Sequence, residues 1–162
     1  MGTPVITIRN SVERADVERI RSITESTGFF YREEVDTAVE LIEDRLEKGQ
    51  RCGYHFLFAE DGGQTVGYTS YGPIACTRTS FDLYWICVAG SFRGRGLGKL
   101  LLEASENAIR AFGGTRVYIE TSMRELYEPT RRFYLARGYT AAAVLDDFYA
   151  PGDAKVIYLK VL

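Results

Sequence analysis

The chain has a single histidine, His55, among its 162 residues. Catalytic schemes that need an imidazole base, and metal centres built from several histidines, have almost no material here. Cysteine is scarce as well: Cys52, Cys76 and Cys87 form no Cys-x-x-Cys pair, and their odd number argues against a disulfide framework. They read as reduced thiols, and no metal is expected. No apolar run reaches the ~18 residues that span a bilayer. Met1-Gly2-Thr3-Pro4-Val5 lacks the charged and apolar regions of an export signal, so a cytoplasmic protein is expected. Charge of one sign is also missing. Lys and Arg number 20 against 22 Asp and Glu, a net charge of -2, which gives no global attraction to nucleic acid or to an anionic membrane. Recognition must be local.

What is present is enough apolar material, 46% of the residues, for one well-buried domain spanning residues 1–162. Val5 to Arg9 alternates as a strand, and Val17, Ile20 and Ile23 mark a helix over Asp16 to Ser26. Val35, Ala38, Val39, Ile42 and Leu46 form one stripe at steps of three and four, predicting a helix from Arg32 to Lys48 stopped by Gly49. Strands follow at Tyr54 to Ala59, Thr65 to Tyr71 and Phe81 to Val88, the first two joined by the hairpin signal Glu60-Asp61-Gly62-Gly63. A long amphipathic helix starts at Leu97 and ends at Gly113-Gly114, and Val117 to Ile119 reads as a short buried strand. A last helix opens near Pro129 and stops at Gly138, before strands near Tyr139 to Leu145 and Val156 to Val161. The alternation implies a mixed α/β fold with one central sheet.

The most informative segment is Arg93-Gly94-Arg95-Gly96-Leu97-Gly98, set between the strand ending at Val88 and the helix starting at Leu97. Glycines let backbone N–H groups approach an anion without interference from Cβ, and the helix start aims unpaired N–H groups and the positive dipole end at the same place. Spacing narrows the ligand. The dinucleotide fingerprint Gly-x-Gly-x-x-Gly fails, because the glycines fall at 94, 96 and 98. The nucleoside-triphosphate loop fails too, since Lys99 is followed by Leu100 rather than Ser or Thr. Arg-x-x-Gly-x-Gly after a strand resembles the acyl-CoA pyrophosphate loop of the GCN5-related N-acetyltransferase (GNAT) family. A second motif agrees: Tyr127-Glu128-Pro129-Thr130-Arg131-Arg132-Phe133-Tyr134-Leu135-Ala136-Arg137-Gly138-Tyr139 resembles the family's Asn-x-x-Ala-x-x-Phe-Tyr-x-x-x-Gly-Phe helix. Tyr127 stands for the Asn, Thr130 for the Ala, and Gly90 where a Pro is frequent.

The resemblance covers nearly the whole chain. It implies a β-α-α-β-β-β-α-β-α-β-β fold, a mixed and mostly antiparallel sheet of about seven strands with four helices. It also implies transfer of an acetyl group from acetyl-CoA to a primary amine, a small amine or a peptide N-terminus, by direct attack. In that scheme Ile86 and Val88 pair with pantetheine or polarise the thioester, and the backbone of Gly94, Arg95, Gly96, Leu97 and Gly98 takes the pyrophosphate. Arg93, Arg95 and Lys99 add charge, and Tyr127 and Thr130 stand at the pantetheine contacts. Tyr134 is the expected general acid for the leaving thiolate, a phenol with a reference pKa of ~10. Lysine-type amines are protonated at neutral pH and need a base, for which Glu120 is the first choice and Asp82 and Tyr84 compete. Phe30, Tyr31 and Glu33, in an aromatic and acidic stretch, would wall the acceptor side. Tyr149, in Asp147-Phe148-Tyr149-Ala150-Pro151-Gly152, would gate it. Cys87 is read as a strand residue, because no histidine stands nearby to activate it. A non-catalytic acyl-CoA sensor is the alternative function, and a homodimer is left open.

Overall fold

A computed structural model describes residues 5–162. Met1–Pro4, on which part of the export-signal argument rests, lie outside the described residues. Among the described residues the seven strands are β1 (Ile6–Arg9), β2 (His55–Asp61), β3 (Gln64–Pro73), β4 (Ser80–Val88), β5 (Arg116–Ser122), β6 (Thr140–Ala150) and β7 (Asp153–Val161). The helices are α1 (Asp16–Ser26), α2 (Arg32–Lys48), α3 (Leu97–Ala111) and α4 (Glu128–Leu135). The strands form one sheet in the order β1-β2-β3-β4-β5-β7-β6. Pairing is parallel between β4 and β5 and antiparallel at β1–β2, β2–β3, β5–β7 and β6–β7. This is the mixed α/β fold expected, with the elements in the expected order.

The chain divides into two compact units, Met1–Gly72 with Tyr84–Ala108, and Pro73–Leu83 with Ile109–Leu162. In the first, Ile20, Ile23, Ala38, Val39 and Ile42 from the apolar stripes of α1 and α2 bury against Phe56, Phe58, Tyr68 and Cys87. The hairpin between β2 and β3 turns through Gly62 (φ +57°) and Gly63 (φ +86°), both left-handed, the geometry that matches strand twist. A buried hydroxyl pair, Thr24 Oγ1 and Tyr68 Oη at 2.6 Å, locks α1 to the sheet. In the second unit Val117, Ile119, Val156 and Tyr158 are buried, whereas β6 is an edge strand exposed along nearly its whole length. No described helix is long and apolar enough to cross a membrane.

Four strands, β2, β3, β5 and β6, run beyond their sequence-predicted ends, β5 and β6 by the most. β5 continues through Glu120, Thr121 and Ser122 because their polar groups find partners: Lys155 pairs with Glu120, and Ser122 donates to Asp153. β6 continues to Ala150 past an irregularity in which Asp147 takes φ +53°, and the Asp147 carboxylate accepts the Gly152 N–H at 2.7 Å.

Candidate active site

In the first unit, a turn through Gly90–Phe92 leads from β4 to the glycine run. Gly94 and Gly96 have φ of +75° and +77°, values that cost an L-residue ~1–2 kcal/mol. A Cβ at either would meet nothing within 4 Å, so these glycines serve backbone conformation and open approach rather than packing. Leu100 is the first residue of α3 whose N–H reaches back to the run, bonding the Gly96 carbonyl at 3.1 Å. The N–H groups of Leu97, Gly98 and Lys99 therefore precede the helical ladder and belong to its positive end. Leu97 is buried and anchors the turn. This geometry fits a diphosphate: a loop open to close approach, with helix-terminal donors behind it.

The cations named from sequence behave differently from one another. Arg93 turns back, donating to the Thr27 carbonyl at 2.9 Å and lying 4.5 Å over the Phe29 ring. Ser26 Oγ accepts the Gly90 N–H at 3.1 Å, so the end of α1 clamps the turn from both sides of the motif. Arg95 lies 4.8 Å over Phe92, and Lys99 is exposed with Glu103 at 3.8 Å. Ile86 and Val88 are partly buried on β4, and the Ala89 N–H bonds the Val66 carbonyl at 2.8 Å. Between them Cys87 is buried, and burial pushes its thiol up to about 12 despite hydrogen bonds with Tyr68 and Thr24. A thiol so held is a poor nucleophile at neutral pH. Phe30 packs edge-on against Trp85 at 5.0 Å, and Tyr31 is exposed at the start of α2, where Glu34 accepts its N–H at 2.8 Å. Glu33 is exposed in the same helical turn. His55 stacks on Tyr71, and burial, then the Arg45 charge, pulls its pKa down.

The second unit holds Tyr134, Glu120 and Asp82. Tyr134 is buried on α4, with ring contacts to Phe133, Tyr139 and Tyr158 at 5.5, 5.8 and 5.9 Å. Tyr127 is buried in the turn before α4, below the Arg124 guanidinium, and Thr130 is partly buried one turn on. Arg131 donates to the Ser122 and Arg124 carbonyls, both at 2.9 Å, and so fixes that turn to the end of β5. Asp82 on β4 lies opposite Tyr118 in the parallel pairing, and Glu120, two residues on, returns to the same sheet face. Glu120 lies opposite Ile157 on β7, and Lys155 returns to that face two residues before.

The Lys155 ammonium closes on Glu120 at 2.7 Å and lies 3.7 Å over the Phe148 ring and 5.9 Å from that of Tyr149. Burial pushes the Asp82 carboxyl up to about 6, the negative charge of Glu120 adds to this, and Lys155 opposes it. Sequence reasoning missed Lys155. Its partner is 35 positions away (155 minus 120), and only the β5–β7 register reveals the pair.

The first unit carries a glycine turn feeding a helix start, and the second carries a buried tyrosine and two carboxylates on one sheet face. The acetyltransferase (GNAT) family model matches residues 17–139. A crystal structure of an acetyltransferase assigned to this family, from Desulfovibrio desulfuricans, is 43% identical, with a TM-score of 0.95 over 97% of this chain and 99% of that one. The chain belongs to the GNAT family and is an acyltransferase. Its fold is also similar to the ribosomal-protein-alanine N-acetyltransferase of Brucella melitensis (24% identity, TM-score 0.78, 96% and 99% covered). Ard1 of Thermoplasma volcanium is similar too (20%, TM-score 0.77, 97% of both chains). No curated protein matches the chain.

Proposed function

We propose that the chain works as one domain over residues 1–162 that uses acetyl-CoA to acetylate a primary amine, a small amine or a peptide N-terminus. The observation that carries this reading is the turn in which Gly94 and Gly96 adopt left-handed φ in front of α3. Its shape and donors suit the CoA diphosphate, with the N–H groups of residues 94–98 as ligands and Arg95 and Lys99 as exposed countercharges. Arg93 serves the turn's shape through Thr27 and Phe29. Tyr127, Thr130, Ile86 and Val88 are assigned to pantetheine.

The bound thioester supplies the acetyl group; the protein's part is to hold it, take a proton from the ammonium and give one to sulfur. Asp82 and Glu120 are the carboxylates available for the first task, and Tyr134 is assigned the second. Phe30, Tyr31, Glu33 and Tyr149 are assigned to the acceptor, whose positive charge suits aromatic and acidic neighbours. The free thiols Cys52, Cys76 and Cys87 support a reducing, cytoplasmic setting.

The test is thiol release from acetyl-CoA across a panel of amines and peptide N-termini, beside a thermal shift with CoA. Turnover with at least one acceptor is expected, and Tyr134→Phe should lower kcat roughly 10²-fold to 10⁴-fold with the CoA shift preserved. A CoA shift without release on any acceptor would favour the sensor. Unchanged turnover in Tyr134→Phe would remove the phenol from the mechanism.

A further inference from the structure

Glu120 and Asp82 share a sheet face but not an environment. The Glu120 carboxylate is taken by the Lys155 ammonium at 2.7 Å. That lysine is itself confined, its side chain only 10% exposed and its ammonium set 3.7 Å over the Phe148 ring. Holding a lysine so deeply has a desolvation cost, which the carboxylate and the aromatic face offset together. Asp82 is half-buried and accepts no hydrogen bond from any described protein group. Its charged neighbours are Glu120 on β5 and Lys155 on β7, and Tyr118 lies opposite it in the strand pairing.

We propose that Lys155 divides the work of the two carboxylates: it holds Glu120 as a fixed structural anion and leaves Asp82 as the group that takes the proton from the incoming ammonium. Asp82 is then the catalytic carboxylate and Lys155 a positioning residue. This rests on the acetyl-transfer reading above. In the step assigned to Asp82, directly or through one water, an N–H bond of the ammonium breaks and an O–H bond forms on the carboxylate. The freed lone pair forms the C–N bond as the C–S bond breaks, a second amine proton ends on sulfur, and Asp82 returns its proton to solvent. The charges on either side tune this group in opposite directions, since Glu120 raises its proton affinity and Lys155 lowers it, about a value near 6 suited to a base at neutral pH.

The experiment is a pH profile of kcat/KM for the full chain and three variants, with the best amine of the acceptor panel. A ¹³C carboxyl NMR titration of Asp82 accompanies it, with no substrate present. The wild type should show an acidic limb near 6, following ionisation of Asp82. Asp82→Asn should lose roughly 10²-fold to 10⁴-fold in turnover while keeping its thermal shift with CoA. Glu120→Gln should show the limb moved to lower pH, because a like charge is gone. Lys155→Met should move the limb to higher pH, and Lys155→Arg should restore it. An inactive Glu120→Gln beside an active Asp82→Asn would make Glu120 the base and overturn the proposal. An unmoved limb and an unmoved Asp82 resonance in Lys155→Met would overturn the role of Lys155. Absence of turnover on every acceptor would defeat the acetyl-transfer reading instead, while the NMR titration still decides whether Lys155 governs Asp82.

Discussion

Replacing Asp16 by Asn removes the charge at the centre of the best-connected ion cluster in the first unit. Asp16 is the first residue of α1 and fully buried. Its Oδ1 accepts from Arg9 at 2.8 Å and Arg19 at 2.9 Å, and its Oδ2 from Arg9 at 3.0 Å and the Glu13 N–H at 2.8 Å. Arg9 also reaches Glu60 at 2.7 Å and lies 4.3 Å over Phe58, so one carboxylate ties α1 to β1 and β2. Removing one partner of a buried pair costs ~3–5 kcal/mol. Arg9 keeps Glu60 and some water contact, which brings the expected loss for Asp16→Asn to about 2–4 kcal/mol.

Urea unfolding at pH 7 should show this as a midpoint ~1–2 M lower at unchanged slope. The pH dependence has a definite sign. Burial pushes the Asp16 carboxyl up, but hydrogen bonds from Arg9, Arg19 and the Glu13 N–H outweigh it and hold the group below its ordinary value of 3.8. Stability from such a group is present above the unfolded value and is lost as pH falls through the folded one. The gap between wild type and variant should therefore be widest at neutral pH and close as pH drops below ~3.8. A loss under about 1 kcal/mol at pH 7, or a gap unchanged down to the most acidic pH at which the wild type folds, would refute the reasoning. The far end of α1 clamps the glycine turn through Ser26 and Thr27, so the variant should also raise the KM for acetyl-CoA.

The fold was legible where local chemistry and burial agree. The stripe from Val35 to Leu46 defines α2 because its residues bury, and Gly49 stops it at φ +63°, a conformation other residues avoid. Asp61-Gly62-Gly63 defines the hairpin for the same reason. Legibility failed where a strand lacks a buried face: β6 shows no alternation in burial, so only β7 pairing marks its extent to Ala150. The candidate site divides the same way. The glycine turn is a local device and could be read from spacing, although which glycines are left-handed, Gly94 and Gly96, could not. Arg93 could not, because its partners Thr27 and Phe29 lie more than 60 positions earlier in the chain. In sequence a lone lysine at 155 is an ordinary polar position, and Asp82 stands only as a rival to Glu120 for the base. Their chemistry arises from Glu120 standing near both, a consequence of sheet order that no short window contains.

Gly114→Ala should be strongly destabilising on steric grounds alone: its Cβ would fall 2.3 Å from Ile109 Cγ2 and 2.8 Å from the Phe81 ring. Both neighbours are buried, so a cost of ~1–3 kcal/mol or more and a Tm lower by about 4–10 °C are expected, and a Tm equal to wild type would contradict the packing. The last prediction concerns Cys87, the residue nearest in sequence to the assigned thioester contacts. With its thiol pushed up to about 12, roughly one molecule in 10⁴ carries the thiolate at pH 8. Iodoacetamide should therefore label exposed Cys76 readily and leave Cys87 unmodified in the folded protein. Cys87→Ala removes a small buried group, for which about 1–2 kcal/mol of stability is at stake, and no nucleophile, so acetylation per folded molecule should persist. Rapid-quench mass spectrometry after mixing with acetyl-CoA discriminates the alternatives. Direct attack predicts no acetylated enzyme on the path to product, whereas an acetyl adduct on Cys87 that forms and decays at the turnover rate would establish a covalent route through a thiol that burial otherwise keeps silent.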